Sequence, residues 1–181
     1  MMPELRCSGC ARKPSAVAKL RRLASAWAGA PRSWQRLNAF DWQRAADDAR
    51  VAVQWVRTQA FISGKVAALG FCMGGRTAFL AATRGGVDAS ISLYALGIAK
   101  HLDELRTITT PLQLHYGLND EHIPKSEVDA VIAAAKGNRN VEVYLYPGAE
   151  HGFFTKGRPA FNAEAVAAAT ARIERLLSTL T

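Results

Sequence analysis

The sequence predicts an α/β domain built on a doubly wound parallel sheet, and three observations carry that prediction. From Asp41 onward, short apolar runs rich in β-branched and aromatic residues alternate with helical patterns. The alternation yields four strands interleaved with helices, the pattern of parallel βα units. The 181 residues, 49% apolar and 21% charged, suit a single buried core and exclude a disordered or collagen-like chain.

The elements follow in order. Trp42 to Gln59 reads as an amphipathic helix, because Ala45, Ala46, Ala49, Val53 and Val56 recur at spacings of three and four. Phe61-Ile62-Ser63-Gly64 ends it. Lys65 to Phe71 is a buried strand, Gly74 to Arg84 a helix, and Ala89 to Ala95 and Pro111 to Gly117 two further strands. Lys125 to Lys136 is a helix, Val141 to Tyr146 the fourth strand, and after a loop through Pro159 a last helix runs from about Ala163 to Leu180. No window approaches the ~18 consecutive apolar residues of a membrane helix.

Charge divides the chain near residue 40. Of the net +8, residues 1–40 carry eight basic side chains against the single acid Glu4, so residues 41–181 are almost neutral. We therefore expect a basic, Ala/Arg-rich segment over 1–40 and the α/β core over 41–181. No aromatic stacking surface accompanies the arginines of the basic segment, which argues against nucleic acid as a partner. Three cysteines, Cys7, Cys10 and Cys72, are too few for a secreted disulfide framework and point to a reducing, cytoplasmic compartment.

Gly70-Phe71-Cys72-Met73-Gly74 fits G-x-S-x-G with cysteine in place of serine, after a strand and at the start of a helix. A sharp strand-to-helix turn there forces the central residue into strained backbone angles and exposes its side chain. The helix N-terminus then favours thiolate over thiol. The alternative is a buried structural cysteine in a glycine-rich turn. Asp120 follows the third strand and His151 the fourth, each at the carboxyl end, where loops of a parallel sheet converge on one crevice. For Asp120 the alternative is a helix cap before Ile123-Pro124, and for His151 a surface histidine. His101 in a polar loop, His115 inside a strand and His122 beside the acid read as structural.

At these residues the chain resembles the dienelactone hydrolase family of α/β-hydrolases, the carboxymethylenebutenolidase-like enzymes. The likeness lies in the cysteine elbow Gly70-Phe71-Cys72-Met73-Gly74-Gly75, in Gly117-Leu118-Asn119-Asp120 and in Gly148-Ala149-Glu150-His151-Gly152-Phe153. It implies an α/β-hydrolase fold and a hydrolase of small esters or lactones that needs no metal or cofactor. Cys72 would be the nucleophile, His151 the proton carrier, Asp120 its orienting acid, and the Met73 backbone N–H half of the oxyanion hole. Tyr94 stands where relatives have paired tyrosines, and Lys156 or Arg158 would replace an arginine that holds a substrate carboxylate. The family's strands before the elbow are not legible here, although Pro3-Glu4-Leu5 is similar to a family segment. That mismatch implies a sheet incomplete on its N-terminal side and a chain truncated or frame-altered before about residue 38. The competing functional reading is a non-catalytic remnant that serves at most as an interaction module. Cys7-Ser8-Gly9-Cys10 as a redox or zinc motif, and Arg21-Arg22 as a targeting signal, are weaker readings of the basic segment.

Overall fold

The computed structural model of the protein describes residues 36–180, apart from residues 38 and 63. The readings of Pro3-Glu4-Leu5, of the C-x-x-C and of the twin arginines lie outside the described residues. The chain divides into two units, Met1–Phe40 and Asp41–Thr181, and all that follows concerns the second.

Helix α1 spans Trp42–Arg57, started by Asp41, whose carboxylate accepts from the Arg44 N–H at 2.9 Å. It stops two residues before the predicted end because Thr58 turns both its N–H and its hydroxyl back onto Trp55 O. Strand β1 (Ala67–Phe71) leads directly into α2 (Met73–Leu80), which widens into a π turn over Ala81–Gly85 and closes on left-handed Gly86. The sequence pattern reads these last two segments as one helix, since a π turn disturbs the apolar repeat by a single residue. Strand β2 is Ala89–Leu93, and β3 is Leu112–Gly117.

Between them stand a 3-10 turn, Ile98–His101, and α3, Leu102–Thr107. From the sequence this stretch reads as loop, because a six-residue helix is too short to show a 3.6-residue period. His101 therefore lies at a helical junction and is partly buried. Helix α4 (Lys125–Ala135), strand β4 (Val141–Tyr146) and helix α5 (Ala163–Ser178) complete the order.

The four strands are all parallel and lie in the order β1-β2-β3-β4. Every residue of β2 and β3 is buried, so both faces of the central strands are covered, as their unbroken apolar runs require. Phe79, Leu80, Ile91, Leu93, Leu112, Leu114 and Phe153 are at most 1% exposed and form the centre of the core. Among the described residues β1 is an edge strand, with Leu69 42% exposed. No described helix is long and apolar enough to cross a membrane. With every strand parallel, the turns after β1, β2, β3 and β4 gather at one end of the sheet, and that end carries the elbow cysteine.

Candidate active site

Cys72 occupies the one-residue turn between β1 and α2, with φ 55° and ψ −119°. A side-chain-bearing residue reaches such angles only under strain that its surroundings enforce. Here the enforcement is local: Cys72 N–H donates to Leu93 O of β2 at 3.0 Å, while Cys72 O accepts from Gly75 and Arg76. A Cβ at Gly70 would overlap the Gly74 carbonyl, so that position demands glycine. Gly74 behaves differently, with nothing within 4 Å of a Cβ built there. The second close approach falls on Gly75, where a Cβ would stand 2.8 Å from Leu93 O. The elbow's steric demand thus rests on Gly70 and Gly75, rather than on the Gly70/Gly74 pair of the motif. Met73 opens α2, and its N–H is one of the first-turn donors that have no intrahelical acceptor.

Asp120 and His151 come from the loops after β3 and β4, and a glycine brings those loops together. A Cβ at Gly117 would collide with the Ala149 carbonyl, and Asn119 N–H donates to that same carbonyl at 2.9 Å. Across this contact His151 Nδ1 meets Asp120 Oδ2 at 2.7 Å. The other oxygen, Oδ1, accepts the backbone N–H groups of His122 at 2.8 Å and Ile123 at 3.3 Å. Asp120 is therefore not the helix cap of the alternative reading, because the N-cap of α4 is Pro124; it closes a turn in its own loop while it pairs with His151. Its side chain is 1% exposed and that of His151 16%. Burial pulls the His151 pKa down, yet hydrogen bonds to Asp120 and Cys72, with the Coulombic pull of both, outweigh it and raise the pKa to about 9. His151 thus stands between Asp120, which it bonds at 2.7 Å, and Cys72, whose interaction helps to raise its pKa. The Nδ1 bond to Asp120 leaves Nε2 for the thiol.

An aromatic shell encloses the histidine. Tyr94 and His122 stand edge-on to the His151 ring, at centroid distances of 5.1 and 4.9 Å. Phe71 packs on Phe154 at 5.5 Å and on Tyr94 at 6.0 Å. Tyr94 is also backbone-strained, with φ 38°, and its hydroxyl pairs with the Thr155 side chain. Burial pushes its phenol well above the usual range, so it stays protonated. Phe71, His122, Phe154 and Thr155 were not among the candidates from sequence, although each lies within three residues of one. Arg158 is half-buried and near enough to act electrostatically on Tyr94. Lys156 is exposed. Among the described residues no cluster of His, Cys, Asp or Glu could hold a metal ion. A concavity of about 550 Å³, lined among others by Arg106, Lys136 and Arg139, sits before β3 and β4, at the opposite end of the sheet from Cys72.

The profile of the dienelactone hydrolase family matches residues 23–181. The chain belongs to the dienelactone hydrolase family. It is 31% identical to the carboxymethylenebutenolidase of Pseudomonas putida over 139 residues, which cover 77% of this chain and 58% of that one. To carboxymethylenebutenolidase 1 of Cupriavidus pinatubonensis it is 32% identical over 142 residues, 78% of this chain and 60% of the relative. It therefore spans about three fifths of the length of these dienelactone hydrolase relatives. Among solved structures, it resembles a dienelactone hydrolase-like promiscuous phosphotriesterase from metagenomic libraries, with TM-score 0.72 and 22% identity over 90% of this chain and 80% of that one. Est1E of Butyrivibrio proteoclasticus gives TM-score 0.59 at 15% identity, covering 77% and 71%. At those identities the structural likenesses bear on the fold, which is that of the α/β-hydrolases.

Proposed function

We propose that this member of the dienelactone hydrolase family hydrolyses small esters or lactones through a Cys72-His151-Asp120 triad. The observation that supports the reading is the 2.7 Å bond between His151 and Asp120, beside a Cys72 held in strained backbone angles and close enough to His151 to act on it electrostatically. The Cys72 sulfur attacks the substrate carbonyl carbon, and the Met73 N–H at the head of α2 supports the oxygen that gains charge. The bond to the leaving oxygen then breaks, and His151 hands that oxygen its proton. His151 next takes a proton from water, whose oxygen attacks the thioester. The acid departs, and the proton returns to the Cys72–His151 pair. Asp120 keeps the imidazole in the Nδ1–H tautomer throughout. Tyr94, Phe71 and Phe154 form an apolar wall beside the thiol that suits an unsaturated or aromatic acyl group. Arg158 is the stronger of the two candidates for a substrate carboxylate, because Lys156 stands in water. The compartment we propose is cytoplasmic, and the partner we propose is a small ester or lactone rather than nucleic acid or a membrane.

The test is hydrolysis of p-nitrophenyl acetate and a panel of small lactones by the purified chain, alongside Cys72→Ala and His151→Ala. Turnover that falls at least a hundredfold in both variants supports the triad. Equal turnover in Cys72→Ala, or none in the unaltered chain, defeats the proposal.

A further inference from the structure

We infer that Arg76 and His101 are positioning residues for the nucleophile elbow, a clamp on α2 that holds only while His101 is uncharged. For its consequence in catalysis, though not for the clamp itself, this rests on the assignment of Cys72 proposed above. Arg76 lies one helical turn after Cys72, and its N–H reaches Cys72 O at 3.3 Å. The residue is only 6% exposed. Its guanidinium stacks 4.0 Å from the centre of the Trp42 ring on α1. It also fits so closely against Gly97 that a Cβ there would lie 2.7 Å from Nη1. A guanidinium has no lone pair to accept with, so Arg76 Nη2 must donate to His101 Nε2, 2.8 Å away. His101 Nε2 is therefore bare of hydrogen, and Nδ1 carries the proton that it donates to Glu104 at 2.9 Å. Arg76 Nε has no partner, so the buried cation depends on this bond.

A proton added to His101 would set an N–H against an N–H at 2.8 Å and a cation beside a buried cation. Neither arrangement persists, and Arg76 would have to leave its seat, drawing on the first turn of α2. The charged groups around the pair come from three elements. Glu104 on α3 bonds His101 and is held by Arg84 of the π turn, whose Nε reaches it at 2.8 Å. Arg84 in turn bonds Gln43 of α1 at 2.8 Å. Glu127 on α4 acts on Arg76 electrostatically while accepting Gly97 N–H at 2.6 Å. The hydrogen bonds from Arg84 pull Glu104 down to about 2, so it stays ionised over the whole range in which His101 titrates. Burial, joined by the charge of Arg76, holds His101 below its ordinary value in spite of Glu104. The clamp is accordingly closed at neutral pH and opens on acidification.

Glutamine separates the bond from the titration, because its Oε1 accepts from Arg76 and its amide donates to Glu104 at every pH. Hydrogen exchange of the 70–85 segment, corrected for intrinsic rates, is followed from pH 7.5 to 4.5 in the full chain and in His101→Gln. The pH profile of kcat/KM for p-nitrophenyl acetate is recorded beside it, each protein normalised to its own value at pH 8. We expect protection of the segment to fall at least tenfold with acid in the unaltered chain and to persist in His101→Gln. The acid limb of kcat/KM should move at least half a pH unit lower in the variant. Coincident exchange profiles overturn the clamp. Divergent exchange with superimposable activity profiles reduces the pair to a structural contact and overturns its positioning role. Absence of hydrolysis at all pH values defeats the functional proposal, and the exchange comparison then still decides the clamp.

Discussion

Replacing Asp120 by asparagine tests the electrostatic core of the site with a sign and a size. The His151 pKa stands at about 9 in the folded protein against an ordinary 6.5. At ~1.4 kcal/mol per pH unit, that gap corresponds to ~3 kcal/mol of stability. Because the folded value is raised, the contribution is complete below pH 6.5 and is lost as pH climbs through about 9. Asparagine keeps an oxygen for the N–H groups of His122 and Ile123 but turns an amide toward His151 Nδ1. That nitrogen must then accept, so the imidazole is driven to its other tautomer and loses its charged partner. Burial, now opposed only by Cys72, pulls the pKa back down. Urea unfolding at pH 6.0 and 9.5 with a common m-value measures the effect. The unaltered chain should lose ~3 kcal/mol more between those two pH values than Asp120→Asn does, on the order of the full shift. Groups unconnected with Asp120 cancel in the comparison. Equal pH dependence in the two proteins would show that the carboxylate does not raise His151, and the chain of charge from Asp120 to Cys72 would fall with it.

Two further outcomes follow from particular contacts. Gly70→Ala and Gly74→Ala, neighbours in one motif, should move stability in opposite directions. The first drives a methyl into the Gly74 carbonyl and should cost ~3 kcal/mol or more, a Tm fall of ~10 °C. The second places a methyl in open space on a helix and should gain ~1 kcal/mol. Thermal unfolding checks both, and a shared sign refutes the account of the elbow. His115, fully buried with Nδ1 2.7 Å from Tyr146 Oη, has a pKa lowered to about 3, chiefly by burial and further by Arg172. A lowered histidine gives stability that is complete above pH 6.5 and drains away toward pH 3, here ~3 kcal/mol by pH 4.5. His115→Gln should flatten that acid loss in urea unfolding, whereas an unchanged slope would place the acid-sensitive group elsewhere.

The four strands, the longer helices between and around them and the three residues of the candidate triad were legible in the sequence because each has a local signature. A parallel strand buried on both faces must be apolar throughout, and β2 and β3 are. A nucleophile on a one-residue turn needs glycine where its backbone doubles back, and Gly70 supplies it. Loops after successive parallel strands converge whatever their length, so Asp120 and His151 could be paired before any distance was known. The tertiary structure alone decided what depends on contacts between segments distant in the chain. The steric glycine after Cys72 is Gly75 because β2 passes beneath it, and β2 begins 14 residues further on. His101, set in what reads as a polar loop, is a partly buried acceptor because α2 delivers a guanidinium to it from 25 residues away. Tyr94 and His122 flank His151 for the same reason, since their rings meet it only after β2, β3 and β4 have come into register. Periodicity and motif spacing report the path of the backbone within a segment. Which side chains lose their water together, and so which charges are shifted, is set by packing between segments.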